Sequence, residues 1–234
     1  MAQLYLVGTN HIDIQGPERL RKFLDFTKPS LISLEADKDE LELRIRDHIG
    51  FERQEFMMKL GFTMQYGGEK ANNILNVLRV LGYESWVSNE YGLANPGVGF
   101  ICNDNIDHEA LKDLDAGPIT ADQKDGENQV GPAFIDSIAK LTHDEMLASI
   151  ERAYQNASLG LFAESKHFDA LFTSRDEYME GRIRQAVDVT EGPVVALCGI
   201  LHFFGDYHNL HDRLSDLDPV RISLNQVDKY MGAN

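Results

Sequence analysis

Two short runs in this chain repeat one small device. Tyr5-Leu6-Val7-Gly8-Thr9-Asn10-His11 and Ala196-Leu197-Cys198-Gly199-Ile200-Leu201-His202 each read as an apolar strand, a glycine, two residues and a histidine. A third apolar run, Leu31-Ile32-Ser33-Leu34, ends in Glu35. In a parallel α/β sheet the residues just past the carboxyl ends of strands line the crevice where ligands bind, and a glycine there lets the chain turn sharply beside a ligand. Imidazole, carboxylate and imidazole delivered to one crevice bind a catalytic divalent metal or perform acid–base chemistry. One glycine-x-x-histidine is commonplace in loops; two at matching structural positions carry the weight.

Glu35 has a competing use as an acidic charge at the start of the following helix, where the dipole favours it. Asp37 is the more natural cap, which leaves Glu35 freer for another role. A third clue is Thr173-Ser174-Arg175-Asp176-Glu177-Tyr178-Met179. Ser174 with Glu177 three residues on is a capping-box pattern, which predicts a helix from Ser174 to about Val189. A cation at Arg175 would then oppose the macrodipole and calls for a compensating carboxylate or substrate oxygen. With a metal, neutral imidazoles at His11 and His202 suit Zn²⁺, Mn²⁺ or Co²⁺, which lower the pKa of bound water from about 15.7 toward 7. Glu35 is then a metal ligand or general base, Arg175 stabilises the developing oxyanion, and Asp13 adds a ligand or orients His11.

Other candidates are weaker. His208 and His211, three apart on an expected last helix, are most simply solvated. Cys198 lies inside an apolar strand, where an inert buried thiol is expected. There is no GxSxG elbow, GxxxxGK[ST] loop, GxGxxG turn or HExxH helix. Nucleotide use is not expected.

The elements that must position these residues alternate. Strands are expected at Leu4–Val7 and Leu31–Leu34, with a helix over residues 18–26 between them and a long patterned segment over 38–60 after them. A helix over 69–81 stops at Gly82, and Ser85-Trp86-Val87-Ser88 reads as a third strand. From Asn95 to about Gly131 the texture is that of a surface excursion: eight acids stand against two lysines between Asp104 and Glu127, with Gly97 to Ile101 the one apolar interruption. That acidic stretch is a candidate lid. Helical spacing returns over 134–148 and 150–162. The chain ends with a strand at Val194–Cys198, a helix over 206–217 and a short strand at Arg221–Leu224. The expected fold is a mostly parallel α/β sheet flanked by helices, in one domain over residues 1–234 with 95–172 as a loop-plus-helix insertion. Tyr5, Phe23, Phe26, Phe51, Phe56, Leu60 and Phe62 are the expected core.

Composition narrows the partners. The 22 basic against 38 acidic residues give a formal net charge of −16, which repels nucleic-acid phosphates and anionic lipid surfaces. The amino terminus lacks the basic and apolar regions of a secretory signal, and the longest apolar run, Val194 to Leu201, falls short of the roughly 20 residues that span a bilayer. A cytoplasmic protein acting on a peptide or small molecule is expected, without nucleic-acid or membrane partners; a homodimer is left open.

Taken together, Leu6 to His11, Pro29 to Glu35, Arg175 to Met179 and Val194 to His202 followed by Gly205 and Leu210 resemble, in the same order, the TraB/PrgY/TIKI family within the wider erythromycin-esterase-like and ChaN-like superfamily. The resemblance covers both ends of the chain; residues from about 91 to 172 match only in being helical. It implies an α/β fold with paired GxxH motifs around a metal-dependent hydrolytic site, with peptidase activity in the TIKI branch. His11 and His202 take the paired histidine positions, Glu35 the strand-end acid and Arg175 the helix-start arginine. Where the family tends to show an Asp-Arg pair on its next strand, this chain reads Ser88-Asn89-Glu90, and the membrane segments of some relatives are absent. The rival expectation is a non-catalytic protein that holds a peptide, metal or porphyrin in the same crevice.

Overall fold

The computed structural model describes residues 2–104, 131–159, 166–204 and 207–233, with the side chains of 166–171 excepted. Among the described residues, five parallel strands form one sheet in the order β3-β2-β4-β1-β5. They are β1 (Leu4–Thr9), β2 (Leu31–Leu34), β3 (Gly99–Cys102), β4 (Val194–Gly199) and β5 (Val220–Ser223). Helices cover both faces, as an all-parallel sheet requires, so the α/β class read from the alternating pattern is the observed one.

Alternation along the central strands divides the core in two. Val7, Ile32, Leu34, Val195 and Leu197 join one cluster with Leu20 and Phe23 of α1 (Gly16–Thr27), Ile74 and Val77 of α3 (Gly68–Val80) and Tyr83 and Val87 of α4 (Tyr83–Ala94). Leu4, Leu6, Val194, Ala196 and Cys198 face the opposite way, toward Met179 and Ile183 of α7 (Lys166–Val189) and Phe203 of α8 (Leu201–Phe204). Successive β residues point to opposite faces, so a strand buried on both sides is apolar at every position, as Val194 to Cys198 are.

Several local expectations change. Ser85 to Ser88 lie in α4, whose residues from Tyr83 to Ser88 are buried without a break, a helix segment enclosed on every side rather than one with a polar face; two apolar residues between serines carry no period that separates strand from helix. The third strand is instead Gly99–Cys102, the short apolar run within the expected surface excursion, paired with Leu31–Leu34. Two helices, α5 (Pro132–Ile138) and α6 (His143–Ser158), replace the boundaries expected at 134–148 and 150–162, because Thr142 caps α6 with Glu145 in a capping box. The helix expected over 206–217 contracts to one turn, α9 (Leu210–Arg213), capped by Asn209. A terminal helix, α10 (Val227–Ala233), follows β5. Beyond Asp104, the acidic stretch and its expected lid lie outside the described residues.

The long helix α2 (Lys38–Tyr66) starts at Asp37, whose carboxylate accepts from the Glu40 N–H at 2.7 Å. No residue of α2 is buried. Phe56 and Leu60 therefore sit outside the core expected of them, as does the partly exposed Phe26, whereas Phe23 is fully buried. Among the described residues no helix is long and apolar enough to cross a membrane.

A core truncation distinguishes the two environments. Phe23→Ala should lower unfolding free energy by about 3–5 kcal/mol in urea denaturation, while Leu93→Ala, at a 77% exposed position, should stay within about 0.5 kcal/mol of the wild type.

Candidate functional site

Strand register brings the candidate residues together. Leu34 pairs with Leu197 and with Cys102, while Gly8 pairs with Cys198, so β1, β4, β2 and β3 end at one edge of the sheet. The Glu35 N–H donates to the Leu197 carbonyl at 3.0 Å, the Ile200 N–H to the Thr9 carbonyl at 2.8 Å and the Asn103 N–H to the Leu34 carbonyl at 2.9 Å, carrying each chain a residue past its strand in step. His11, Glu35, Asp104 and Gly199 thus project from four neighbouring strand ends, and His202 follows at the start of α8.

The glycines of the two motifs allow this closeness. A Cβ at Gly199 would stand 3.2 Å from His11 Nε2 and 3.4 Å from Glu35 Oε2, and one at Gly8 would meet Ile200 at 3.0 Å. The Gly199 N–H donates to Glu35 Oε2. Glu35 Oε1 takes Arg175 Nη2 at 2.5 Å and lies 3.2 Å from His202 Nε2. Arg175 also holds Asp104, with Nε donating to Oδ1 at 3.2 Å and Nη2 to Oδ2.

Each histidine has a carboxylate behind it. His11 Nδ1 is 2.8 Å from Glu84 Oε1, and His202 Nδ1 is 2.5 Å from Asp176 Oδ1, whose other oxygen accepts from Tyr207 Oη at 2.9 Å. Phe172 covers the His202 ring at 4.7 Å between centroids. The two imidazoles differ in access: the His11 side chain is 45% exposed and that of His202 is 1% exposed.

Electrostatics follow from these contacts. Burial alone would raise the Glu35 carboxyl, but the charges of His202 and Arg175 outweigh it and hold the group well below the usual carboxylate range. Burial likewise opposes the His202 imidazolium, yet Glu35 and Asp176 carry its pKa up to about 9. For His11 the desolvation penalty is overcome by Glu84, and the net direction is upward from 6.5. Glu84 itself is lowered against its burial, chiefly by His11, with Thr9 and Arg44 contributing. Burial pushes the Cys198 thiol well above its ordinary value, consistent with the inert thiol expected.

Sequence reading located His11, Glu35, Arg175 and His202, and the fold joins all four. Arg175 nevertheless arrives by a different route. The helix α7 begins at Lys166, eight residues before Ser174, because no glycine or proline interrupts the chain there. Ser174 is not its cap, Arg175 lies in the helix interior, and the compensating partners are Glu35 and Asp104 rather than a substrate oxygen. Asp13 is engaged elsewhere: it is buried, accepts from Arg19 Nη1 at 2.8 Å and Tyr154 Oη at 3.0 Å, and Tyr154 in turn accepts the Asn10 N–H. It fixes the loop that carries His11. The His208 backbone carbonyl accepts from Arg213 Nε at 3.1 Å, and the half-buried His211 ring has its Nδ1 3.5 Å from Asp212 Oδ1.

Glu84, Asp104, Asp176 and Tyr207 were not among the expected site residues. Glu84 was hidden by reading its helix as a strand, and Asp104 by its place at the head of an acidic run. Asp176 had a signal, being adjacent to the arginine that needed partners.

The donor chemistry suits a divalent metal in kind, since a carboxylate behind each imidazole is the usual support of metal-binding histidines. As arranged, though, the groups form an ion-pair network: among the described residues no three His, Cys, Asp or Glu side chains are placed to hold a metal ion. Loading one would require His202 to lose its proton and Arg175 to yield its place on Glu35. No known protein family, curated protein or solved structure matches this chain.

The raised His202 pKa has a determined sign. Its contribution to stability is complete below about 6.5, the unfolded value, and is lost as pH rises through about 9. A proton resonance of this ring should titrate with a midpoint near 9 in NMR spectra, and the thermal midpoint should fall between pH 7 and 10; a midpoint near 6.5 would contradict the network. Arg175→Met, which strands Glu35 and Asp104 without their cation, should cost about 3–5 kcal/mol in urea denaturation.

Proposed function

We propose that this chain is a cytoplasmic hydrolase that cleaves an amide or ester bond in a peptide or small molecule, with His11 activating the attacking water. The observation that carries this reading is the difference between the two histidines. His11 has its Nδ1 on Glu84 while its side chain reaches solvent, the arrangement of a general base oriented by a carboxylate. His202 is sealed and protonated at neutral pH, and acts as a fixed positive charge beside Glu35.

In this mechanism His11 Nε2 takes a proton from water as the oxygen attacks the substrate carbonyl, and Glu84 stabilises the imidazolium that forms. The same proton then passes to the leaving group. Glu35, held well below the ordinary carboxylate range, is a poor proton acceptor. Its part is electrostatic: placed close to the same point as His11 Nε2, it favours the protonated imidazole that the step produces. The resemblance to the TraB/PrgY/TIKI group supports hydrolysis and, in one branch, peptide substrates.

A metal-dependent form of the same hydrolysis is favoured by the carboxylate behind each imidazole. There His11, His202 and Glu35 would hold Mn²⁺, Co²⁺ or Zn²⁺ once His202 had lost its proton and Arg175 its place on Glu35, and the ion would supply a water acidic enough to react near neutral pH.

A panel of peptides and simple esters, assayed on wild type and His11→Ala with and without chelation, tests the reading. Turnover should fall about 10²–10⁴-fold in His11→Ala. The pH profile should be bell-shaped, rising through a pKa above 6.5 as His11 loses its proton and falling near 9 as His202 loses its own; Glu84→Gln should move the rising limb to lower pH. Activity that survives chelation supports the metal-free mechanism, and activity lost on chelation and restored by one cation supports the metal-dependent one. Stoichiometric ligand retention without product across the panel would overturn both in favour of capture.

A further inference from the structure

The hydrolysis proposed above creates one charge that still lacks a partner. As water adds to the substrate carbonyl, its oxygen bonds to the carbonyl carbon, the C=O π pair moves onto the carbonyl oxygen and a water proton goes to His11 Nε2. Collapse of the adduct re-forms the C=O bond as the leaving nitrogen or oxygen departs with that proton. The oxyanion between these events requires hydrogen-bond donors. Arg175, expected to supply them, is engaged by Glu35 and Asp104, and the Gly199 N–H by Glu35.

Asn10 immediately precedes His11 and is held through three of its four polar groups. Its backbone N–H donates to Tyr154 Oη at 3.1 Å, its carbonyl accepts the Asp13 N–H at 2.8 Å, and its side-chain Oδ1 accepts the Ile12 N–H at 3.3 Å. The last bond fixes which end of the amide is oxygen, since only the oxygen accepts from an N–H. Tyr154 is buried and donates to Asp13, which Arg19 holds. The fourth group, Nδ2, carries two N–H donors. Among the described residues they have no partner, and the nitrogen is not sealed from solvent. A pre-set donor thus stands at the solvent boundary next to the general base, with Asn10 half-buried and His11 exposed.

We propose that Asn10 Nδ2 donates to the developing oxyanion, which makes Asn10 a further catalytic residue; the inference rests on His11 acting as the general base. A neutral donor suits a site whose base must gain a proton. Another cation beside His11 would oppose the imidazolium, whereas an amide dipole favours the oxyanion without that cost. The three bonds that hold Asn10 orient the amide before substrate arrives, so little ordering is left for the reaction itself.

Two substitutions separate this role from a purely structural one. Asn10→Asp keeps the oxygen that accepts the Ile12 N–H, and with it the turn, but offers no donor; Asn10→Ala removes the donor without adding charge. On an ester or peptide that the wild type cleaves, each should lose about 10²–10³-fold in kcat with KM changed by no more than about twofold. Both should keep the wild-type circular-dichroism spectrum. Turnover restored to the wild-type level by Asp but not by Ala assigns Asn10 to the turn and overturns the proposal, as does full turnover in both. A loss in His11→Ala with none in the Asn10 variants overturns the donor and leaves the hydrolase standing. Where the wild type cleaves nothing, binding of phenylphosphonate, a tetrahedral anion, followed by phosphorus NMR decides: the wild type should bind it about tenfold more tightly than either variant. That result keeps the donor while the hydrolase reading falls, and equal binding by all three, or none by the wild type, overturns the donor as well.

Discussion

A carboxylate buried at the end of β2 is the constraint around which the site is organised. An ionised Glu35 in that position would be prohibitively unstable alone, and it is met by the Gly199 N–H, the Arg175 guanidinium and the protonated His202. The two charged partners are themselves mostly withdrawn from water and are balanced in turn, Arg175 by Asp104 and His202 by Asp176. The requirement therefore spreads outward until it reaches Tyr207 on one side. Buried ion pairs of this kind contribute little net stability compared with an apolar core, but removing one member is costly. The network is accordingly better understood as a device that fixes charges in place than as a source of folding energy.

His11 stands at the boundary of that device. Its Nδ1 side belongs to the buried system through Glu84, while the rest of the ring reaches water. The loop bearing it is held by backbone contacts, the Asp13 N–H to the Asn10 carbonyl, and by the Tyr154 hydroxyl, which is fixed by Asp13. A polar group prepared in this way loses little entropy when it acts, which is the advantage of building a site at strand ends rather than on a free loop.

Much of the frame was legible in residue order. Val194 to Cys198 can hardly be other than a doubly buried strand, and Leu4 to Val7 is similar. Where the reading failed, a local pattern had two meanings. Trp86 and Val87 flanked by serines form a short apolar run that suits strand or helix alike, and it lies in a helix whose residues from Tyr83 to Ser88 are all buried. Ser174 with Glu177 is a sound capping box in isolation, yet the preceding residues continue the helix and cancel it. Phe56 and Leu60 are apolar without being core, because hydrophobicity in a helix records the need for a partner and not which partner supplies it.

The sequence by itself determined the alternation of strands and helices, the two GxxH turns, and the identity of His11, Glu35, Arg175 and His202 as residues in search of one another. These follow from local periodicity and from residue chemistry, which the chain carries at every point. Only the tertiary structure decided which carboxylate stands behind which imidazole, that Glu84 comes from a helix and Asp104 from the end of β3, and that one histidine is exposed while its counterpart is sealed. Those outcomes depend on the register of parallel strands, whose partners in sequence lie as far apart as Thr9 and Gly199. Contacts over such separations are set by the packing of the whole sheet, and no local window of residues records them.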